Sequence, residues 1–269
     1  MTDSIIHTRD GALARLRFNR PASLNAVGFE MGARWRELAL EITADPTVGA
    51  VILDAAGPAF CAGGDMVEMS SSDTRGADVT AVARTVHEGI RAFVESDKPV
   101  VAVVQGAVAG GGLGLMLTAD YIVAGDSARF VSKYAGIGLT PDLSVSALLP
   151  AAIGQTRALR MLLDDLTIDA PTALDWGLVT EVAADPAARG EEVARFWLAG
   201  ATAAFGQAKR LVRAGAHRPF AENLDDEART IGAAFDTPDA RARVAAFAAA
   251  SARSAARRAS PSSASNESR

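Results

Sequence analysis

The sequence predicts an α/β fold in which a core of alternating strands and helices is followed by a helical C-terminal region. Two continuous apolar runs, at residues 48–53 and 100–104, are typical of strands that are buried on both faces of a parallel sheet. Between them, apolar side chains recur at helical spacing and predict an amphipathic helix: Val79, Val82, Val86, Ile90 and Phe93. From Ser144 onward the pattern is helical almost to the end of the chain.

The remaining core elements follow from turn signals and periodicity. The turn pair Asp10-Gly11 separates two short segments with alternating apolar residues, so residues 5–18 are predicted to form a hairpin. Arg20-Pro21 ends its second strand. Asn25 precedes a helix whose apolar positions extend to Ile42. Short strands are predicted at 121–123 and 130–131.

The same pattern divides the chain into three parts. We expect a core over residues 1–200 and a C-terminal helical region over residues 201–255. Residues 256–269 are mainly Ala, Ser and Arg without periodicity, which predicts a disordered tail.

Composition narrows the class of protein. The 269-residue chain has a net charge of −5, which argues against nucleic acid as a partner because phosphate binding needs a basic face. No apolar run reaches the roughly 20 residues that cross a bilayer, so no membrane association is expected. The first residues lack the basic and apolar regions of a signal peptide. Cys61 is the sole cysteine in the sequence, which is typical of a reducing compartment, and we expect a cytoplasmic protein.

Two glycine-rich turns, at residues 60–66 and 109–115, give the clearest indication of chemistry. Glycine allows a backbone to take positive φ and to approach a ligand closely. A turn that leads into a helix also presents free N–H groups at the positive end of the helix dipole. Two such groups aimed at one point can stabilise an oxyanion or enolate. The alternative is that the glycines only permit tight strand-to-helix packing, and neither turn has the Gly-Lys-Ser/Thr of a phosphate loop.

Several motifs resemble, in the same order, those of the crotonase (enoyl-CoA hydratase/isomerase) superfamily. They are Asn19-Arg20-Pro21, Leu24-Asn25-Ala26, residues 60–65, Gln105-Gly106, residues 109–112, Ala119-Asp120, residues 138–142, Leu149-Pro150, Gly154 and residues 176–179. The resemblance covers about residues 19–182. It implies a crotonase-like spiral of ββα turns, assembly into a homotrimer or a dimer of trimers, and an acyl-CoA thioester as substrate without a separate cofactor.

The resemblance also implies a site. In this superfamily the thioester oxygen lies between two backbone N–H groups, and the matching motifs place these on Gly64 and Gly111. The CoA and pantetheine path is then expected to be lined by Ala62, Asp65 and Met66, together with Ser23, Leu24 and Ala26.

Two departures from the family pattern bear on the reaction. Hydratases of the superfamily hold water with two glutamates, and at those positions this chain has Gly114 and Tyr134. Without the carboxylate pair, a hydration mechanism needs an atypical water site. We expect Tyr134 to line the acyl pocket or to donate a hydrogen bond.

Asp142 is the remaining acid that matches relatives. It resembles the aspartate of ring-type enoyl-CoA isomerases of phenylacetate degradation and of dienoyl-CoA isomerases, where one carboxylate shuttles a proton. We therefore expect an enoyl-CoA isomerase in which Asp142 is the acid/base. The alternative for the residue itself is that it caps the helix beginning near Ser144.

Other functions remain open. His87 and Asp142 resemble in spacing the catalytic pair of 4-chlorobenzoyl-CoA dehalogenase, in which the Asp attacks an aromatic ring and the His activates water. That resemblance implies an aroyl-CoA dehalogenase or hydrolase, although His87 can equally be a solvent-facing residue on a helix edge. An atypical hydratase and an inactive CoA-binding subunit are the further alternatives.

Overall fold

The structure, a computed structural model, describes residues 3–71 and 73–259 and confirms the α/β fold with its helical C-terminal region. The chain forms two compact units, of which the first ends at His217 and the second begins at Arg218.

The strands all belong to the first unit. In chain order the described strands are β1 (Ile5–Asp10), β2 (Leu13–Phe18), β3 (Ala50–Ala55), β4 (Val100–Val104), β5 (Ala107–Ala109), β6 (Tyr121–Ala124), β7 (Arg129–Val131), β8 (Ile168–Asp169) and β9 (Glu181–Val182).

The helices of the first unit alternate with the strands and then follow them. They are α1 (Phe29–Ala44), α2 (Met66–Met69), α3 (Gly76–Glu95), α4 (Gly111–Leu117), α5 (Val145–Ile153), α6 (Gln155–Leu163), α7 (Ala170–Trp176), α8 (Pro186–Ala199) and α9 (Thr202–Gly215).

Two sheets organise this unit. The larger has the order β1-β2-β3-β4-β6-β9, with β1 antiparallel to β2 and every other neighbouring pair parallel. The smaller has the order β5-β7-β8. Every residue of β4 is buried, which agrees with the uninterrupted apolar run in the sequence, since parallel strands are covered on both faces. The hairpin predicted at residues 5–18 is present, with Ile5 opposite Phe18.

Contacts in the core fix the position of α3, the helix that forms one wall of the candidate site described below. Trp35 of α1 is buried, its ring centroid lies 5.3 Å from that of Phe93, and its indole N–H donates to the carbonyl of Val86 at 3.2 Å. Gly89 makes this contact feasible, because a β-carbon there would lie 2.5 Å from the indole nitrogen of Trp35. The helix is therefore held firmly against α1.

Backbone pairing brings the two glycine turns together. Cys61 forms an isolated parallel bridge with Val108. The N–H of Ala109 donates to the carbonyl of Cys61 at 2.9 Å, and the N–H of Cys61 donates to Ala107 at 3.1 Å. Turns that are about 50 residues apart in the sequence therefore lie side by side.

The second unit consists, in the described residues, of α10 (Phe220–Phe235) and α11 (Pro238–Ala259). The last helix continues through residues 256–259, the first part of the segment predicted to be a tail, and residues 260–269 lie outside the described residues. Within the described ranges, no helix is long and apolar enough to cross a membrane.

Candidate active site

The two glycine turns open onto a mainly apolar cavity of about 260 Å³. Helix α3 supplies one wall with apolar side chains spaced along one face: Val79, Val82, Ala83 and Val86. The wall also contains five residues of the segment 134–143: Tyr134, Ile137, Leu139, Asp142 and Leu143. Because the walls are mostly hydrocarbon, the cavity suits an apolar group, with polar groups concentrated at the turns.

Each expected N–H donor follows a glycine with positive φ. Gly63 has φ 106° and Gly110 has φ 50°, conformations that other residues adopt only with strain. The carbonyl of Gly63 and the N–H of Asp65 both bond to Val27, so the intervening N–H of Gly64 faces the other way. The N–H of Gly111 belongs to the first residue of α4, where no intrahelical acceptor exists. Both donors line the cavity, and neither has an acceptor in the described part of the chain.

Cys61 packs behind the first turn. Its side chain is fully buried, and burial raises the pKa of its thiol to about 12. The thiol lies 3.8 Å from the carbonyl oxygen of Gly63. A thiol in this state is protonated at neutral pH, so Cys61 is a packing residue rather than a nucleophile.

Asp142 and Tyr134 form a hydrogen-bonded pair at the cavity wall. The Tyr134 hydroxyl donates to Oδ1 of Asp142 at 2.6 Å. Burial, followed by the charge of Asp142, raises the pKa of Tyr134 well above its ordinary value, so the phenol remains a proton donor to the carboxylate. A β-carbon at Gly111 would lie 3.9 Å from Oδ1 of Asp142, which places the carboxylate beside the second turn. The Asp142 side chain does not cap the following helix, since α5 has Ser144 at its N-cap and no side-chain cap bond among the described residues.

Leu143 occupies the space that a side chain at position 114 would need. A β-carbon on Gly114 would lie 1.8 Å from the carbonyl oxygen of Leu143. The Leu143 side chain also packs on the second turn, because a β-carbon at Gly111 would lie 2.7 Å from its Cδ1. The space that a glutamate side chain at position 114 would need is therefore filled by the backbone of Leu143.

His87 lies on α3 next to this segment. Although the residue is exposed, its Nε2 accepts the backbone N–H of Leu143 at 3.1 Å. The structure thus brings His87 to the peptide bond between Asp142 and Leu143. It is neither a purely solvent-facing side chain nor one of the residues that line the cavity.

The other two carboxylates in the cavity wall are engaged in structural contacts. Asp65 accepts the N–H groups of Val67 and Glu68 at the start of α2 and pairs with Arg20 at 2.9 Å. Burial acts to raise the pKa of Asp65, but the Arg20 hydrogen bond and the N–H groups together hold it below the ordinary value. Glu68 accepts the N–H of Phe29 at the start of α1 at 2.8 Å.

The loop expected to guide CoA is held by hydrogen bonds to neighbouring backbone but lies outside the cavity wall. Asn25 is fully buried with φ 57°, and its side-chain amide donates to two backbone carbonyls, at 2.9 and 2.8 Å. The carbonyl of Leu24 accepts the N–H of Ala62 at 3.0 Å, which joins the loop to the first turn. Ala62, Asp65, Met66 and Tyr134 line the cavity, whereas Ser23, Leu24 and Ala26 do not.

Sequence reasoning did not identify three residues of the site. Leu143 gives no signal in the sequence, because an apolar side chain before a helix does not indicate the left-handed conformation that its φ of 44° shows. Lys133 also has positive φ, at 59°, and lines the cavity. Ser132 is fully buried in the wall, and its hydroxyl has no partner among the described residues.

Comparison with known proteins identifies the family of the chain. A family model described as enoyl-CoA hydratase/isomerase matches residues 8–252. The chain is 32% identical over 248 residues to 4-chlorobenzoyl coenzyme A dehalogenase-2 of Arthrobacter sp, covering 91% of this chain and 89% of the relative. It is 31% identical over 245 residues to 1,2-epoxyphenylacetyl-CoA isomerase of Escherichia coli (strain K12), covering 90% and 93%. A solved structure from Mycobacterium abscessus, described as an enoyl-CoA hydratase/isomerase, aligns with a TM-score of 0.84 at 36% identity, covering 91% of this chain and 96% of that one. These matches confirm the fold that the motifs imply.

Proposed function

The chain belongs to the enoyl-CoA hydratase/isomerase (crotonase) family, and on that premise we propose that it is an enoyl-CoA isomerase with Asp142 as its acid/base. The observation that carries the proposal is the state of the three carboxylates in the cavity wall. Asp65 and Glu68 are bound to backbone N–H groups, whereas Oδ2 of Asp142 has no donor in the described part of the chain. Asp142 is therefore the carboxylate that is free to exchange a proton with a substrate.

The proposed reaction moves one proton and consumes no water. The Asp142 carboxylate removes a proton from a carbon near the thioester, and the electron pair of that C–H bond moves into an enolate whose oxygen is held by the N–H groups of Gly64 and Gly111. The same proton is then returned to a different carbon, and the double bond shifts. Each donor in such a hole contributes on the order of 2.7–4 kcal/mol to the transition state. Because these groups hold both the proton and the negative charge, the reaction needs no separate cofactor.

Tyr134 supports the assignment by orienting the carboxylate. Its hydroxyl takes one lone pair of Oδ1 and leaves Oδ2 for the substrate. It stands at the position of one hydratase glutamate and Gly114 stands at that of the other, so the carboxylate pair is absent and Asp142 is a carboxylate at a different position. A phenol whose pKa is raised by burial and by Asp142 does not act as the base that activates water, which disfavours hydration.

The cavity walls support an apolar acyl group as the substrate class. The α3 face and the loop carrying Ile137 and Leu139 offer hydrocarbon to the acyl chain, while the turns hold the polar thioester. We place the CoA chain along Met66, which is 43% exposed beside the first turn, and along the loop of Ser23, Leu24 and Ala26.

We also propose a homotrimer or a dimer of trimers. Exposed apolar side chains on the helices of the second unit support an assembly that covers them: Phe220, Ile231, Val244 and Phe247. Light scattering coupled to size exclusion tests this directly. A mass of about three or six times the 27.8 kDa chain is expected, and a monomer would contradict the proposal.

A panel of enoyl-, dienoyl- and aroyl-CoA esters tests the reaction, scored together for isomerisation, hydration and hydrolysis. We expect isomerisation, with Asp142→Asn lowering kcat by about 10²–10⁴-fold and leaving CoA binding intact. Asp175→Asn is the matched control, because its side chain is 78% exposed. Unchanged turnover of Asp142→Asn would rule out the assignment. Hydration alone would indicate an atypical hydratase, and retained binding without any turnover would indicate an inactive CoA-binding subunit.

A second candidate is an aroyl-CoA dehalogenase or hydrolase, favoured by the hydrogen bond that brings His87 to the Asp142–Leu143 peptide. In that reaction Asp142 would form an aryl ester that water then cleaves. A single turnover in ¹⁸O-labelled water distinguishes the two, because only hydrolysis at the aspartyl carbonyl places the label in Asp142. We expect no label.

A further inference from the structure

We infer that His87 is a positioning residue that holds the peptide bond between Asp142 and Leu143, and that it does not activate water. The inference rests on the proposed function in that Asp142 is the group being positioned. It starts from one contact, the hydrogen bond from the Leu143 N–H to Nε2 of His87 at 3.1 Å.

This bond fixes the role of Nε2. A ring nitrogen that accepts an N–H carries no proton of its own, so Nε2 is the acceptor in this contact. The lone pair of Nε2 is occupied by the Leu143 N–H and is not available to take a proton from water. His87 therefore acts on the reaction through the backbone of Leu143.

The segment held by this bond is one that local forces do not favour. Leu143 has φ 44° and Ser144 has φ 69°, so two successive residues other than glycine lie in the left-handed region. Such residues persist only where surrounding contacts hold them. The Ser144 hydroxyl is buried without a partner among the described residues and supplies no such contact. His87, which lies outside this segment, supplies such a contact by accepting the N–H of Leu143.

Movement of Leu143 would disturb both the Asp142 carboxylate and the proposed oxyanion hole. Asp142 shares the bonded peptide, and the Leu143 side chain packs on Gly111, a donor of the proposed oxyanion hole. The carboxylate is thus held at two points, by Tyr134 at Oδ1 and by His87 at its backbone. Displacement of reacting groups by about 1 Å can lower a rate by about 10²-fold.

Helix α3 is a rigid base for this contact. The carbonyl of Val86, the residue before His87, accepts the indole N–H of Trp35 at 3.2 Å, and Gly89 packs directly on the same ring. The position of His87 is therefore fixed by the core rather than by the loop that it supports.

The test compares His87→Gln with His87→Leu. Oε1 of glutamine can accept the Leu143 N–H but cannot replace imidazole as a base, and leucine can do neither. We expect His87→Leu to lower kcat by about 10²-fold with less than a threefold change in KM, and His87→Gln to recover most of that loss. Arg84→Leu, at an exposed position of the same helix, is the matched control.

Hydrogen exchange of the peptide spanning residues 139–148 gives a readout that needs no substrate. Exchange at the Leu143 N–H should accelerate in His87→Leu and stay slow in His87→Gln. Equal loss of kcat in both variants with protected exchange in His87→Gln would show that His87 does proton chemistry and would overturn the inference. Unchanged exchange in His87→Leu would also overturn it. If no isomerisation is found for the wild type, the proposed function fails, and the exchange data still decide the role of His87.

Discussion

Gly114→Ala is the sharpest test of how the cavity is built. The added β-carbon would lie 1.8 Å from the Leu143 carbonyl oxygen and 2.8 Å from its carbonyl carbon. To restore ordinary contact at 3.4 Å, the oxygen must retreat by about 1.6 Å. The obstacle is backbone, so no side-chain rotation relieves it. The displaced peptide bond joins Leu143 to Ser144, so the backbone next to Asp142 moves with it.

The size of the effect follows from three contributions. Overpacking in a buried site costs about 1–3 kcal/mol. Loss of the Leu143–His87 hydrogen bond costs about 1 kcal/mol, and the gain in helix propensity from Gly to Ala offsets about 1 kcal/mol. We therefore expect Gly114→Ala to lower the free energy of unfolding by about 1–3 kcal/mol and to lower kcat, because Asp142 moves with Leu143.

Urea unfolding followed by fluorescence of the three tryptophans measures this change. With a slope of about 1–3 kcal/mol per M, the midpoint should fall by about 1 M. Gly76→Ala is the matched control, since a β-carbon there would meet, among the described residues, nothing within 4 Å apart from its chain neighbours and the backbone of its own helix. Equal midpoints for the two variants would refute the packing argument. For the same steric reason, Gly114→Glu is expected not to create a hydratase.

Three further predictions concern single side chains. Burial and the Asp142 charge raise the pKa of Tyr134 above its ordinary value near 10, so the folded chain keeps a proton that the unfolded chain loses. Stability should therefore fall as pH rises above about 10, and Tyr134→Phe should flatten that decline in urea titrations. Asp65→Ala removes an N-cap and the partner of Arg20, and should cost about 1–2 kcal/mol in urea unfolding at pH 7. Because the pKa of Asp65 is lowered on folding, that cost should diminish as pH falls below about 4. Lys209→Met should cost about 3 kcal/mol in thermal or urea unfolding, because the buried ammonium bonds two backbone carbonyls and Asp120.

The two pH-dependent predictions each have a contrary outcome. An identical alkaline decline in Tyr134→Phe would show that the phenol titrates normally in the folded chain. A cost for Asp65→Ala that is independent of pH would mean that the carboxylate charge does not contribute. Exposed Asp175→Asn and Arg84→Leu serve as controls for the carboxylate and the cation, and neither should change stability by more than about 0.5 kcal/mol.

The sequence was sufficient for the parts of the fold that depend on local patterns. The apolar run at β4 and the helical spacing on α3 predict the elements that the structure contains. The glycine turns could be recognised because positive φ, as found at Gly63 and Gly110, favours glycine. At these two turns the conformation of the backbone favours one residue type, which makes the turns visible in the sequence.

The remaining features of the site depend on contacts between distant segments. The bond from Leu143 to His87 joins positions 56 residues apart, and nothing in either local sequence encodes it. The left-handed conformation of Leu143 runs against the backbone propensity of leucine, so the local sequence does not predict it. The absence of a glutamate at Gly114 was evident from the sequence, but the occupation of its space by the Leu143 carbonyl was not.

The order of strands in the larger sheet has a consequence for how the chain folds. Five of its six strands, β1, β2, β3, β4 and β6, are neighbours in the order in which they are synthesised. Most of the sheet can thus assemble progressively behind the ribosome, while β9 must wait for the segment that carries Asp142 and Leu143. Pairing over such a sequence separation is slow because the loop entropy is lost before the contacts form. The last strand of the larger sheet is therefore expected to pair only after the segment that carries Asp142 and Leu143 has been made.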